Sequence, residues 1–353
     1  MKSNSKYTAA LMAALLAGLT TTASAQVTFD WATVGNPGNA EDPLNSGTIP
    51  GIGSVAIEYR IAKHEVTNDQ YAEFLNAVAA TDTNDLYSAF RGSDPCGGIT
   101  QTGSAPNFTY SVKANMGNKP VNYVRFLDAM RFVNWLHNGQ PTGAQDASTT
   151  EDGVYTISDG LSETRAADAQ FFIPTENEWY KAAYHQPSAD GGDSDDYWLY
   201  ATASNTIPTV ATANAIGDIS NPGTNNVTNY DDGADWNGQD GNVTTIGSAG
   251  PLSESFYGTS DQGGNVWEWN DTIILGSSTY LRNGSWFHSE GSLRSLGRSD
   301  LVVPTDEAMH IGFRVAGSAQ PIPTVSEWGL VAMVLLMLTA GTIVLGKRLP
   351  RPA

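Results

Sequence analysis

The sequence has little of what many proteins use to build a metal, nucleotide or nucleic-acid site. Cys96 is its single cysteine, so disulfide scaffolds and zinc or iron–sulfur sites made of several thiolates are excluded. The 353 residues include 18 Lys+Arg against 37 Asp+Glu, a formal net charge of −19, so no nucleic-acid partner is expected. The histidines form no HxxxH or HExxH pair, and no nucleophile elbow, Walker loop or dinucleotide fingerprint occurs.

What is present favours a folded protein rich in loops. Hydrophobic residues make up 40% of the chain and aromatic residues 10%, which is enough for a core and excludes intrinsic disorder. The 36 glycines indicate much irregular backbone. We expect an acidic globular protein of one large domain or two small ones.

The first residues have the pattern of a secretory leader. Lys2 and Lys6 precede an apolar run over 9–19, and Ala-Ser-Ala follows at 23–25. The apolar run is too short to cross a bilayer, and the last three residues match an A-x-A cleavage site. Residues 1–25 are therefore predicted to be a signal peptide rather than a buried helix, and the mature chain is predicted to be exported.

The last residues have the pattern of a sorting signal. Residues 328–346 are uncharged and long enough to span a membrane, and residues 347–353 form a basic tail that the positive-inside rule keeps in the cytoplasm. The stretch IPTVSEWG at 322–329 begins in the preceding linker, 318–327. It resembles the IPTL type of C-terminal sorting signal. This resemblance implies a sorting protease as partner and a protein that is surface-attached or released; the alternative is a plain membrane anchor.

Three segments between these ends are predicted helices. The first begins at Thr67, where Gln70 completes a capping box, and the third begins at Thr175, where Glu178 does the same. The second runs roughly over Phe126–His137. All three carry apolar residues at helical spacing, which is typical of ordinary core helices.

Residues 186–250 are rich in Asp, Asn, Gly, Ser and Thr and have few apolar positions. A stretch of this length inside a domain is either disordered or organised by something other than a core. Calcium ions can organise such a stretch, because Ca²⁺ takes oxygen ligands from Asp, Asn and backbone carbonyls. The densest candidate, 231–241, lacks the EF-hand spacing and could equally be a solvated acidic loop.

Five stretches occur in an order that resembles the formylglycine-generating enzyme, or sulfatase-modifying factor, family. They are 65–71 (EVTNDQY), 120–122 (PVN) before Asp128-Ala129, 173–179 (IPTENEW), 264–269 (GNVWEW), and 282–286 (RNGSW) closing with 312–315 (GFRV). The family reads EVTNxQ, PV…DA, LPTEAEWE, GNVWEW, RGGSW and GFR. The resemblance covers 53–317, leaves 26–52 as an N-terminal extension, and implies an α+β, C-type-lectin-like fold with much irregular, calcium-stabilised backbone.

The resemblance also implies two structural calcium ions. The first is assigned to two carboxylates, of Asp261 and Glu268, and two backbone carbonyls, of Gly264 and Val266. These groups would form a compact oxygen cage within eight residues, although a solvated turn is the alternative. The second ion is assigned to Asn214, Ala215, Asp240 and Asn242, where loop lengths differ from the family and a solvated loop is equally compatible.

The copper centre of the family's oxidases is not expected here. Those enzymes hold Cu(I) with two cysteines that follow the GGS[YW] motif. The corresponding positions are His288 and Leu293, and neither an aliphatic side chain nor one imidazole replaces a bis-thiolate site. Cys96 lies far away in sequence and is interpreted as an incidental thiol, so formylglycine formation is not predicted.

The predicted function is a non-catalytic binding or structural module on a bacterial surface. The family's substrate groove would persist as a site for an extracellular ligand or peptide around Ser285, Trp286, His288 and Arg294, unless these residues are purely structural. One alternative is a divergent metal-dependent oxidoreductase of the same superfamily, with a metal held through His288. Another is a diversified lectin-like receptor that varies between residues 282 and 312.

Overall fold

The computed structural model describes residues 26–45, 47–223, 226–274 and 278–319. The predicted signal peptide, the sorting motif from residue 320 onward, the span 328–346 and the basic tail lie outside these residues. Within the part that is described, no helix is long and apolar enough to cross a membrane.

The three predicted helices are confirmed, and a short one is added. The α-helices of the described residues are α1 (Asn68–Val78), α2 (Ala89–Ser93), α3 (Phe126–His137) and α4 (Glu176–Tyr184). Thr67 caps α1: its side chain accepts from the Gln70 N–H, and the Gln70 side chain accepts from the Thr67 N–H. Thr175 and Glu178 form the same box at α4. Each box satisfies backbone donors that the first turn leaves free.

One four-stranded antiparallel sheet joins the two ends of the domain. Its strands, in spatial order, are β1 (Trp31–Val34), β2 (Tyr59–Ala62), β12 (Ala316–Ser318) and β5 (Phe171–Phe172). Because β1 pairs along its whole length with β2, part of the predicted N-terminal extension, 26–52, lies inside the folded domain.

The second four-stranded sheet carries the later motifs. Its order is β10 (Arg298–Val302), β9 (Ser278–Arg282), β8 (Trp267–Ile274) and β11 (Ile311–Gly312), with β11 parallel to β8. Two ribbons complete the strands: β3 (Ile99–Thr102) with β4 (Thr109–Val112), and β6 (Thr209–Val210) with β7 (Val227–Thr228). Helices and mostly antiparallel strands in separate groups confirm the predicted α+β class.

Aromatic side chains join α1 and α3 to the closing GFR segment. Phe132 packs edge-on against both Phe74 and Phe313, with ring centroids 5.3 Å apart in each pair. Tyr71 stacks on Phe132 at 5.9 Å. All four rings are fully buried, so this contact fixes where Phe313 lies and, with it, the next residue of the chain, Arg314.

The residues described within 186–250 fold around apolar anchors that are sparse in the sequence. One cluster consists of Ala211, Ile219, Val227 and Ala249, and another joins Tyr200 and Tyr230 to Leu293 from outside the segment. These anchors are few and lie in a mostly polar stretch, and therefore composition alone gave no sign of a core.

Candidate functional site

The GNVWEW and GFR motifs meet at a buried ion pair. Arg314 binds Glu268 through two parallel hydrogen bonds, Nε to Oε2 at 2.6 Å and Nη2 to Oε1 at 2.7 Å. Both side chains are fully buried. The indole of Trp179 in α4 donates to the same Oε2 at 2.7 Å. The carboxylate is therefore held by one guanidinium and one indole, and burial strengthens these charge-assisted bonds.

The remaining donors of Arg314 bind backbone carbonyls. Nη1 donates to Ala62 and Lys63, and Nη2 also donates to Ser260, each at 3.0 Å. All five guanidinium hydrogens have an acceptor, which offsets the cost of burying the charge. The pair thus joins the end of β2, the loop before β8 and the GFR segment at one point.

A second buried arginine begins the RNGSW motif. Arg282 binds Glu176, the first residue of α4, through Nε at 2.9 Å, and its Nη1 donates to the carbonyl of Ser295 at 2.6 Å. Both arginines therefore bind buried carboxylates and backbone carbonyls inside the scaffold.

The loop before β8 converges on one side-chain amide. The residues assigned to the first calcium ion lie close to one another, and the Nδ2 atom of Asn283 lies between their backbone carbonyl oxygens. This nitrogen lies 2.7 Å from the carbonyl oxygen of Gly264 and 2.8 Å from those of Asp261 and Val266, so these three oxygens share its two hydrogens. It lies 3.4 Å from Oε1 of Glu268. The amide thus contacts the two assigned carbonyl oxygens and the arginine binds the Glu268 carboxylate, whereas at Asp261 the amide contacts the backbone carbonyl and not the assigned carboxylate. With the amide in place, this arrangement does not fit a Ca²⁺ ion at the same point.

The residues assigned to the second calcium ion form no side-chain hydrogen bond with one another in the part of the chain that the structure describes. Asn214 is exposed, and its Oδ1 accepts from the backbone N–H groups of Ile216 and Asp218 in a local turn. Ala215 and Asp240 are exposed as well. Asn242 is fully buried, and its Oδ1 accepts from the N–H of Val243.

The ammonium group of a buried lysine lies against the turn that contains Asn214 and Ala215. Lys119, which is 2% exposed, donates to the carbonyl of Ile216 at 2.9 Å and to the hydroxyl of Thr245 at 2.6 Å. Its Nζ also lies 4.8 Å from the ring centroid of Trp236. Burial lowers the pKa of Lys119 to about 8.

At the first degenerate cysteine position, His288 belongs to an aromatic group. Its Nδ1 lies 2.7 Å from the hydroxyl of Ser285, and the indole of Trp267 donates to it at 3.2 Å. The ring of His310 is 5.1 Å away in an edge-to-face arrangement. Phe287 stacks on His310 at 6.2 Å and is 50% exposed. His310 and Phe287 were not predicted, and only their nearness to the GFR and RNGSW motifs could have suggested them.

The two histidines are kept neutral by their surroundings. Burial lowers the pKa of His288, and burial together with the nearby His288 lowers the pKa of His310 to about 4. Two neutral imidazoles can act as ligands for a borderline metal ion. Nevertheless, no group of three or more His, Cys, Asp or Glu side chains that could hold a metal occurs in the part of the chain that the structure describes.

At the second of the two positions where the family has cysteine, the side chain belongs to the core. Leu293 is fully buried in the cluster with Tyr200 and Tyr230. A side chain in this cluster packs against aromatic rings, and its loss would leave a cavity.

Residues 34–319 match the family model described as the sulfatase-modifying factor enzyme 1-like domain. The chain belongs to this family. Residues 320–343 match the IPTL-CTERM motif, which assigns the protein to the cell envelope or surface with C-terminal processing.

Solved structures similar to this sulfatase-modifying factor domain come from several sources. The crystal structure of CarF has 18% identity, covers 83% of this chain and 99% of its own, and has a TM-score of 0.48. Treponema denticola variable protein 1 has 19% identity, 83% and 96% coverage and a TM-score of 0.46. PvdO from Pseudomonas aeruginosa has 16% identity, 82% and 91% coverage and a TM-score of 0.42. No curated protein matches the chain.

The four residues of the predicted groove do not share one surface. In this family member Ser285 and Trp286 are buried, and His288 is half-buried. Arg294 is exposed and donates to the hydroxyl of Tyr200 at 3.3 Å, beside a separate cleft of about 490 Å³. The exposed aromatic side chain of this region is Phe287 instead.

Cys96 lies closer to this region than its sequence position suggests. It is buried in one cluster with Met116, Trp236 and Trp286. Burial and the nearby Asp94 raise the pKa of the thiol to about 12. The thiol is therefore protonated at neutral pH in the folded chain.

Proposed function

We propose that this sulfatase-modifying factor domain is a non-catalytic binding or structural module displayed at the bacterial surface. The observation that supports this most directly is the fully buried Leu293 at one of the two copper-ligand positions. His288, at the other position, has its Nδ1 next to Ser285 and Trp267, and the single thiol is held protonated by burial. No pair of thiolates is therefore available for Cu(I).

Incubation with a Cys-x-Pro-x-Arg peptide tests this proposal. The purified protein, Cu(I) and O₂ are mixed with the peptide, and mass spectrometry follows the conversion of cysteine to formylglycine. We expect no conversion, while an active formylglycine-generating enzyme treated in parallel converts the peptide. Conversion by this chain, lost in His288→Ala, would overturn the proposal.

The ligand surface that we propose is the aromatic group around Phe287. An exposed ring that stacks on one half-buried imidazole and contacts another offers an apolar face with polar atoms beside it. Fluorescence anisotropy with the labelled Cys-x-Pro-x-Arg peptide tests whether this face keeps the affinity for a peptide. We expect Phe287→Ala to weaken binding by about tenfold or more. Ile57→Ala should leave binding unchanged, because Ile57 is an exposed apolar residue elsewhere in the chain.

The nearness of His288 and His310 favours a second candidate, a divergent metal-dependent oxidoreductase. Two imidazole rings 5.1 Å apart could share a transition-metal ion. Metal analysis of protein purified without chelators distinguishes the two candidates. Stoichiometric iron or copper that is lost in both His288→Ala and His310→Ala supports the oxidoreductase, whereas its absence supports the binding module.

We also propose that the chain is processed at both ends. The leader 1–25 would be removed on export, and the span 328–346 would hold the protein in the membrane until a sorting protease cuts near the IPTL-type motif. Mass spectrometry of the protein recovered from its cell envelope and medium tests this. We expect an N-terminus at Gln26 and a C-terminus within 318–329, and an intact C-terminus would indicate a plain anchor.

A further inference from the structure

The RNGSW stretch departs from the family motif RGGSW at its second residue. Asn283 stands where the family has glycine, and its φ of 107° lies in the region that favours glycine. A side chain at such a position adds backbone strain, so its own contacts have to outweigh that strain. Those contacts involve both polar atoms of the amide, with three carbonyl oxygens sharing the two hydrogens of Nδ2.

The orientation of the Asn283 amide follows from its partners. Its Oδ1 accepts from the N–H of Gly264 at 2.7 Å, so Nδ2 is the atom that faces the carbonyls of Asp261, Gly264 and Val266. A flipped amide would place Oδ1 against three carbonyl oxygens and one carboxylate oxygen, which repel it. The side chain is fully buried, so no water competes for these bonds.

The spacing of the oxygens matches a nitrogen donor better than it matches an ion. The three carbonyl oxygens lie 2.7 to 2.8 Å from Nδ2, within the ordinary range for N–H···O bonds. Calcium binds oxygen at about 2.3–2.6 Å, so an ion at the same point would need every oxygen to move inward by a few tenths of an ångström. The point is also already filled by the amide.

The fully buried carboxylate of the assigned set has a counter-ion within the protein. Glu268, the carboxylate of the assigned set that is fully buried, is neutralised by Arg314 through two hydrogen bonds. The other carboxylate, of Asp261, accepts from the N–H of Gly247 at 2.6 Å. The loop backbone is curled, with left-handed φ angles at Asp261, Gly264 and Asn265, so its carbonyls converge and need a donor at their centre.

We propose that the side-chain amide of Asn283 replaces the structural calcium ion of this loop. The single change from the glycine of the family motif supplies, as a covalently attached donor, the contacts that the carbonyls would otherwise make to a cation. The loop is then formed in the absence of calcium. This inference is independent of the proposed binding function, because it concerns the stability of the scaffold and not a ligand.

Thermal unfolding of the full chain in EDTA and in millimolar Ca²⁺ tests the proposal, with Mg²⁺ as the control ion. We expect the Tm of the unaltered protein to be the same in all three conditions. Asn283→Gly restores the family residue and vacates the centre of the loop. Its Tm should fall in EDTA and rise by about 5 °C with excess Ca²⁺ but not with Mg²⁺. The double variant Asn283→Gly with Asp261→Asn should lose this rise.

Two results would overturn the proposal. One is a Ca²⁺-dependent rise in Tm, or one bound calcium per chain after dialysis, in the unaltered protein that Asp261→Asn abolishes. The other is a folded Asn283→Gly variant whose Tm does not respond to Ca²⁺. The first measurement uses no variant at position 283, so it decides the question even where Asn283→Gly fails to fold.

Discussion

Glu268 and Arg314 form a bidentate ion pair with no exposure to solvent, 46 residues apart in sequence. The pair lies where the family's GNVWEW and GFR motifs meet, and the arginine also binds three backbone carbonyls from two other segments. The two motifs therefore stabilise the scaffold that presents the neighbouring aromatic group.

Removal of the guanidinium should be severe. Arg314→Met leaves the Glu268 carboxylate buried without its counter-ion, and we expect a loss of about 3–5 kcal/mol in the free energy of unfolding. Urea denaturation measures this loss. Arg294→Met is the matched control, because Arg294 is exposed and should change stability by less than about 0.5 kcal/mol. A loss at position 314 no larger than at position 294 would contradict a structural role for the pair.

The capping box of α1 should account for a smaller share of stability. Thr67→Ala removes the oxygen that accepts from the Gln70 N–H at 3.2 Å, and we expect a loss of about 1 kcal/mol in the free energy of unfolding. Thr67→Ser keeps an oxygen at the same place and should retain most of that stability. Equal losses in the two variants would show that the methyl group, and not the cap, matters.

Stability should fall in acid because of His185. This ring is 2% exposed, and burial, followed by the charge of Lys181, lowers its pKa to about 4. A histidine with a depressed folded-state pKa contributes stability above its unfolded pKa of about 6.5, and this is lost as the pH falls towards 4. The contribution is about 3 kcal/mol at most.

Urea denaturation at pH 7 and pH 4.5 isolates this contribution. His185→Gln can still bond the Tyr257 hydroxyl, which lies 2.8 Å from Nδ1, but cannot titrate. The unaltered protein should therefore lose more stability between the two pH values than the variant does. Equal losses would show that another group causes the acid sensitivity.

The thiol of Cys96 should be inert in the folded protein. Burial raises its pKa to about 12, and thiol reagents react with the thiolate. We expect labelling at pH 8 to be at least about a hundredfold slower than in urea, with Cys96→Ser as the blank. Rapid labelling of the native protein would show that the thiol is accessible to solvent and would make Cys96 a candidate metal ligand.

Local features could be predicted because they depend on neighbours in the sequence. The capping residues Thr67 and Thr175 act within four positions of their partners, so both helix starts were visible in the sequence. The family motifs likewise indicated the α+β class. By contrast, the apolar anchors of 186–250 contact one another across long polar stretches, and periodicity does not detect such contacts.

The candidate site was predicted in part. The sequence identified His288 and Leu293 as replacements for cysteines and grouped Asp261, Gly264, Val266 and Glu268. It could not place His310 beside His288, 22 positions away, nor separate Arg294 from the buried Ser285 and Trp286. These relationships depend on how the loops after β9 and β10 return to β8.

The sequence alone determined the family, the helix starts, the cell-envelope destination and the absence of a second cysteine, because each is encoded in a contiguous motif or in the composition. The tertiary structure alone decided what lies at the centre of the loop before β8. In the sequence, Asn283 is only a residue that precedes a glycine. In the folded chain, its amide nitrogen lies next to three carbonyl oxygens. A group of oxygens needs a positive partner, and long-range folding, not local pattern, determines whether that partner is an ion or a side chain.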